Sequence, residues 1–150
     1  MKNTSTSRAT ITLQALFAGA LFALAIPSAA LACDGTKSET MTTMTIEQAQ
    51  KAKPAFVDAN SATTRAKDGI IPGAVLLTSY DSYDAKAELP ADKAGALVFY
   101  CANERCGASK VAAKRAMTAG YTNVAILPAG IQGWKKAGMK TDAPTTKDKS

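Results

Sequence analysis

The sequence predicts a three-layer α/β/α domain with a mostly parallel central sheet. Apolar runs at 55–59, 74–78, 96–100 and 123–127 read as buried strands, and they alternate with segments of helical length. Turn residues mark the joins, as at Pro54, Gly69, Pro72, Gly73, Gly120 and Pro128. The strongest strand signal, Ala-Leu-Val-Phe-Tyr at 96–100, ends directly on Cys101 ahead of a helix.

Order is expected to begin near Met44. Thr45 caps a short helix over 46–52, with Glu47 near its start, and Pro54 then forces an extended entry into the strand at 55–59. Asn60 or Ser61 caps a second helix reaching Lys67, and the turn Asp68-Gly69-Ile70-Ile71-Pro72-Gly73 leads into the strand at 74–78. Residues 79–90 are polar and read as irregular, with a helical turn at 91–94 before the strand at 96–100. A helix over 108–119 follows, with Val111, Ala112, Arg115 and Met117 near its inner edge and Gly120 as its stop. The strand at 123–127 and the turn Pro128-Ala129-Gly130 lead into a last short helix that carries Trp134 and closes at Gly138. The domain therefore spans 44–140, between a polar leader at 33–43 and a polar tail at 141–150, with no internal repeat.

Residues 1–32 read as a secretory signal peptide. Lys2 and Arg8 make a positive start, 15–26 is uncharged and apolar, and Ala30-Leu31-Ala32 supplies a small-residue cleavage site before Cys33. The apolar core is shorter than the roughly 20 residues of a membrane span. The expected location is the periplasm or another exported compartment. A second reading resembles the bacterial lipoprotein motif, which is cut at the same bond and would anchor the chain through a lipid on Cys33; Ala30 stands where that motif usually has Leu.

Cleavage would leave 118 of the 150 residues and remove Lys2 and Arg8 from the 18 basic residues, against 12 acidic ones, for a net charge of +4. That suits one modest domain. The basic surplus is scattered, weighted toward Lys135, Lys136, Lys140, Lys147 and Lys149, and has few aromatics among it, so nucleic acid is not an expected partner. Histidine is absent, which removes Cys-His activation and histidine-containing zinc sites, and three scattered cysteines do not suggest a metal centre. No cofactor is expected.

Cys101 is the first residue after the most apolar strand, at the carboxyl edge where open parallel sheets bind ligands. Backbone N–H groups of the loop and helix start stabilise a thiolate or an anion, and Arg105, Lys110 and Lys114 add positive potential if they face inward. A lowered Cys101 pKa and solvent access are the expectations. Cys106 is the plausible partner for a disulfide in an oxidising compartment. Asp58 reads as a buried carboxylate capping the turn at 61–63, and Arg65 as its partner, as a partner of Asp68, or as a solvated charge. Trp134 reads as a core anchor, and Tyr100 and Tyr121 as packing residues.

Several fragments, in order and spacing, resemble the rhodanese-like (sulfurtransferase) family over nearly the whole domain. They are Val57-Asp58-Ala59, Gly69-Ile70-Ile71-Pro72-Gly73-Ala74, Phe99-Tyr100-Cys101, Gly120-Tyr121-Thr122-Asn123-Val124, and Gly130 with Gly133-Trp134. The resemblance implies that Cys101 takes sulfane sulfur from a small donor as a persulfide and passes it to a thiol or other nucleophilic acceptor. It also implies a backbone cradle formed by Ala102, Asn103, Glu104, Arg105, Cys106 and Gly107. The chain departs from the pattern in two ways. Cys106 stands where many members have Arg, with Arg105 one place early, and Glu104 sets a negative charge beside the cradle, which disfavours a dianion such as thiosulfate. Cys106 also opens a second chemistry, thiol–disulfide redox with Cys106 as resolving thiol, and a non-catalytic binding module is the third reading.

Overall fold

The computed structural model describes residues 41–144. The expected signal peptide, the Cys33 cleavage site and the end of the tail lie outside the described residues. The elements run β1 (Thr42–Thr43), α1 (Ile46–Ala52), β2 (Ala55–Asp58), α2 (Ala62–Asp68), β3 (Val75–Leu76), α3 (Ala85–Glu88), β4 (Leu97–Tyr100), α4 (Ala108–Thr118), β5 (Val124–Leu127) and α5 (Gly130–Lys136). All strand pairings are parallel, in the order β1-β5-β4-β2-β3, which puts β4 at the centre. Every residue of β4 and β5 is buried, as the unbroken apolar runs require of parallel strands covered on both faces.

The sheet separates two cores. One face packs Val57, Leu97, Phe99 and Ile126 against Ala85 and Leu89 near α3 and Ala112, Ala113 and Ala116 of α4. The other packs Val98, Tyr100, Ala125 and Leu127 against Ile131 and Trp134 of α5, with Ile46 of α1 alongside. The sheet therefore lies between two helical layers, and alternating strand residues serve opposite cores. Trp134 is buried edge-on to Phe56, with ring centroids 5.4 Å apart.

Local chemistry sets the helix ends. Thr45 and Gln48 form a reciprocal capping box: the Gln48 N–H donates to Thr45 Oγ1 at 3.2 Å and the Thr45 N–H to Gln48 Oε1 at 2.8 Å. Ser61, rather than Asn60, caps α2.

Four expectations from the sequence are corrected. The chain joins the sheet at Thr42–Thr43, inside the segment read as leader, because β1 finds a parallel partner in β5 across a gap that local pattern does not encode. The supposed irregular stretch contains α3, capped by Asp84, whose carboxylate accepts the Lys86 N–H at 2.9 Å, whereas 91–94 forms no helix. On α4 the inner face is Ser109, Ala112, Ala113 and Ala116; Val111 is 46% exposed and Arg115 lies on the surface. Asp142, assigned to the polar tail, pairs its backbone with Ile70 in an antiparallel bridge.

Candidate functional site

β4 delivers Cys101 to the carboxyl edge of the sheet, and the chain from Ala102 to Gly107 curls over it before α4 begins. The curl is tied internally. Asn103 accepts the Arg105 N–H on its side-chain oxygen and the Cys106 N–H on its carbonyl, both at 3.0 Å. From the far side, the start of α5 holds the loop: the Ile131 N–H donates to the Cys101 carbonyl at 2.9 Å and the Gln132 N–H to the Ala102 carbonyl at 3.0 Å. Each trans peptide held by its carbonyl points its N–H the opposite way, into the loop. Gly130 permits this close approach. It has a φ of +59°, and a Cβ there would overlap the Cys101 carbonyl oxygen and lie 2.7 Å from the Ala102 backbone.

Cys101 and Cys106 are both free thiols with opposite settings. Cys101 is only 2% exposed. Its Sγ lies 3.1 Å from the Cys106 carbonyl oxygen, to which the thiol donates, and 3.4 Å from Ser109 Oγ. Burial pushes the Cys101 thiol above its ordinary pKa and Cys106 adds to that push, against the downward pull of the Ser109 hydroxyl and N–H. Cys106 is half-buried. Burial acts upward on it too, but its interaction with Cys101 and the N–H groups of Ala102 and Ala108 prevail and hold it below the ordinary thiol range.

The expectation of a lowered pKa and solvent access at Cys101 is thus overturned, and the low-pKa thiol is Cys106. The reason is geometric: Arg105, Lys110 and Lys114 are all exposed rather than turned toward the sulfur, so burial dominates at Cys101. Within the predicted 102–107 span, the Ala102 N–H acts on the Cys106 thiol. The amides of Arg105 and Cys106 are engaged with Asn103, whereas Ala108 and Ser109, outside that span, reach the sulfurs. Ser109 was missed; its signal was a hydroxyl residue in the first turn of the helix that follows the cysteine loop.

Glu104 and Arg105 face outward and border, with Asn103, Ala129, Gln132, Gly133 and Lys136, an open groove of about 590 Å³. A larger cleft of about 850 Å³, between Ser82, Asp84 and Lys86 and the outer side of α4, contains none of the loop residues. Asp58 and Arg65 build a buried network with Tyr100, the last residue of β4. Tyr100 donates to Asp58 Oδ2 at 2.7 Å and accepts the Ile71 N–H at 3.0 Å, so it is more than the packing residue expected. Arg65 pairs with Asp58 at 3.5 Å and donates to the carbonyls of Asp58 and Leu77. Burial raises the Asp58 pKa despite the opposing Asn60, Tyr100 and Arg65. Asp58 accepts the Asn60 N–H at 2.6 Å, so it caps the strand end one residue before the predicted turn. Among the described residues, no group of three or more His, Cys, Asp or Glu side chains is arranged to hold a metal ion.

Residues 43–137 match the family model described as a rhodanese-like domain. Solved structures with the same fold include a protein of unknown function from Rhodopseudomonas palustris, described as a possible tyrosine phosphatase (24% identity, TM-score 0.54, covering 69% of this chain and 86% of that one). A Bacillus halodurans protein is similar at 19% identity and TM-score 0.60, over 68% of this chain and 77% of its own. A thiosulfate sulfurtransferase from Pseudomonas aeruginosa is similar at 22% identity and TM-score 0.56, over 70% of this chain and 21% of its own. No curated protein matches the chain.

Proposed function

The chain belongs to the rhodanese-like domain family, and from that membership we propose that it is a sulfurtransferase that carries sulfane sulfur as a persulfide on Cys101. The observation that carries the reading is the seat of Cys101: a thiol at the carboxyl end of the central strand, enclosed by its own loop and facing the start of α4. The family includes sulfurtransferases, and a small sulfur-containing donor with a thiol or other nucleophilic acceptor fits this site.

In loading, the Cys101 sulfur attacks the outer sulfur of the donor, the donor's remaining fragment leaves with the bonding pair, and the Cys101 proton passes to the neighbouring Cys106 thiolate. The Ser109 hydroxyl and the amides at the start of α4 stabilise the anionic outer sulfur. An acceptor thiolate then attacks that sulfur and Cys101 leaves as thiolate. The open groove beside Asn103, Glu104 and Arg105 gives substrates a way to the loop. Export of the chain, with residues 1–32 removed and Cys33 either bare or lipidated, is part of the same proposal.

Intact and peptide mass analysis after exposure of the reduced protein to sulfane-sulfur donors tests the reading. One sulfur gained on Cys101, and none in Cys101→Ser, is the expected result. Sulfur uptake that persists in Cys101→Ser, or is absent with every donor, refutes it.

A further inference from the structure

Nothing in a single-cysteine carrier requires a second thiol against the first. Here the Cys101 Sγ lies 3.1 Å from the carbonyl of Cys106, the two thiols interact, and they differ in access: one is enclosed and the other half-buried. The Ala102 and Ala108 N–H groups help to hold the Cys106 thiol below its ordinary range, and the hold of α5 on the Cys101 carbonyl turns the Ala102 N–H away from α5. A second thiol on the very residue whose backbone touches the atom that becomes the inner sulfur of a persulfide is a nucleophile without a stated substrate.

We infer that Cys106 discharges the Cys101 persulfide, releasing hydrosulfide and leaving a Cys101–Cys106 disulfide, so that the domain also acts as a sulfide-releasing, dithiol-dependent reductase of sulfane sulfur. The inference rests on the persulfide reading above. The proton that Cys106 received during loading moves to the outer sulfur and restores the Cys106 thiolate. That thiolate attacks the inner sulfur, the S–S bond of the persulfide breaks, and the outer sulfur leaves as HS⁻ with the bonding pair. The sulfane sulfur gains two electrons, and the two cysteine sulfurs lose one each as their bond forms. An external dithiol reductant then restores both thiols by exchange. The partner class is therefore a reduced dithiol protein or small dithiol, and the groove bordered by Asn103, Gln132 and Lys136 lies beside the loop it would have to reach.

A single-turnover experiment on the prereduced protein, in a Cys33→Ser background so that the third thiol plays no part, tests this. The probes are thiosulfate and benzenethiosulfonate, with no reductant present. Released sulfite or sulfinate counts loading, released sulfide counts discharge, and mass analysis reads the protein. The expected result is sulfide matching the loading product and a Cys101–Cys106 disulfide, whereas Cys106→Ser yields the loading product, keeps the added sulfur on Cys101 and releases no sulfide. Wild-type protein that keeps the added sulfur without releasing sulfide overturns the inference and leaves the carrier reading standing, as does equal sulfide release from Cys106→Ser. No loading in either protein overturns the carrier reading and this inference together.

Discussion

Replacing Tyr100 with Phe removes one oxygen that serves two buried partners, the Asp58 carboxylate and the Ile71 N–H. Both are left without that bond in a site sealed from water, so the expected cost is about 1–3 kcal/mol, read by urea denaturation; a neutral substitution would show that the network contributes nothing. Ionisation separates the two thiols. Cys106 is held below the ordinary thiol range and Cys101 above it, so raising the pH creates the Cys106 thiolate first and the Cys101 thiolate only later. Iodoacetamide near neutral pH should therefore label Cys106 before Cys101, with Cys101 labelling growing only as pH climbs past the usual thiol value. Peptide mapping that finds Cys101 labelled first would contradict this assignment.

At the scale of elements, the loop between β4 and α4 takes its shape from α5, a helix that follows it by more than twenty residues in the chain. The joint passes through Gly130, where an added methyl meets both a left-handed backbone and the Cys101 and Ala102 backbone atoms. The left-handed conformation alone costs a non-glycine residue about 1–3 kcal/mol. Gly73 provides the control: its φ is +74°, yet a Cβ there has nothing within 4 Å. Gly130→Ala should lower the melting temperature more than Gly73→Ala and should also impair sulfur loading. Equal melting and intact loading in both variants would show that α5 does not hold the loop. The helix cap at Thr45 was readable from sequence, and the second cap was narrowed to Asn60 or Ser61, because capping is settled within four residues. On the inner face of α4, Ala112 and Met117 were read correctly, whereas Val111 and Arg115 were misplaced because the sheet packs against the helix's small residues and leaves these two outside.

For the molecule as a whole, the predicted export makes one direct demand: protein recovered from the exported fraction should have a mass that begins at Cys33, with an added lipid mass if that residue is anchored. A chain that keeps residues 1–32 in the cytoplasm would refute it. The sequence by itself determined the alternation of strands and helices, the parallel α/β architecture, and the placing of two cysteines in the loop after the central strand. Those follow from short apolar runs, turn residues and caps, whose physics is local. Tertiary structure alone decided which thiol is buried and which ionises, that Ser109 reaches the sulfur, and that Asp58, Arg65 and Tyr100 form one network. A thiol's pKa depends on the water it has lost and on the amides aimed at it, and here both are set by α4, α5 and the sheet closing around the loop, contacts that no local stretch of sequence contains.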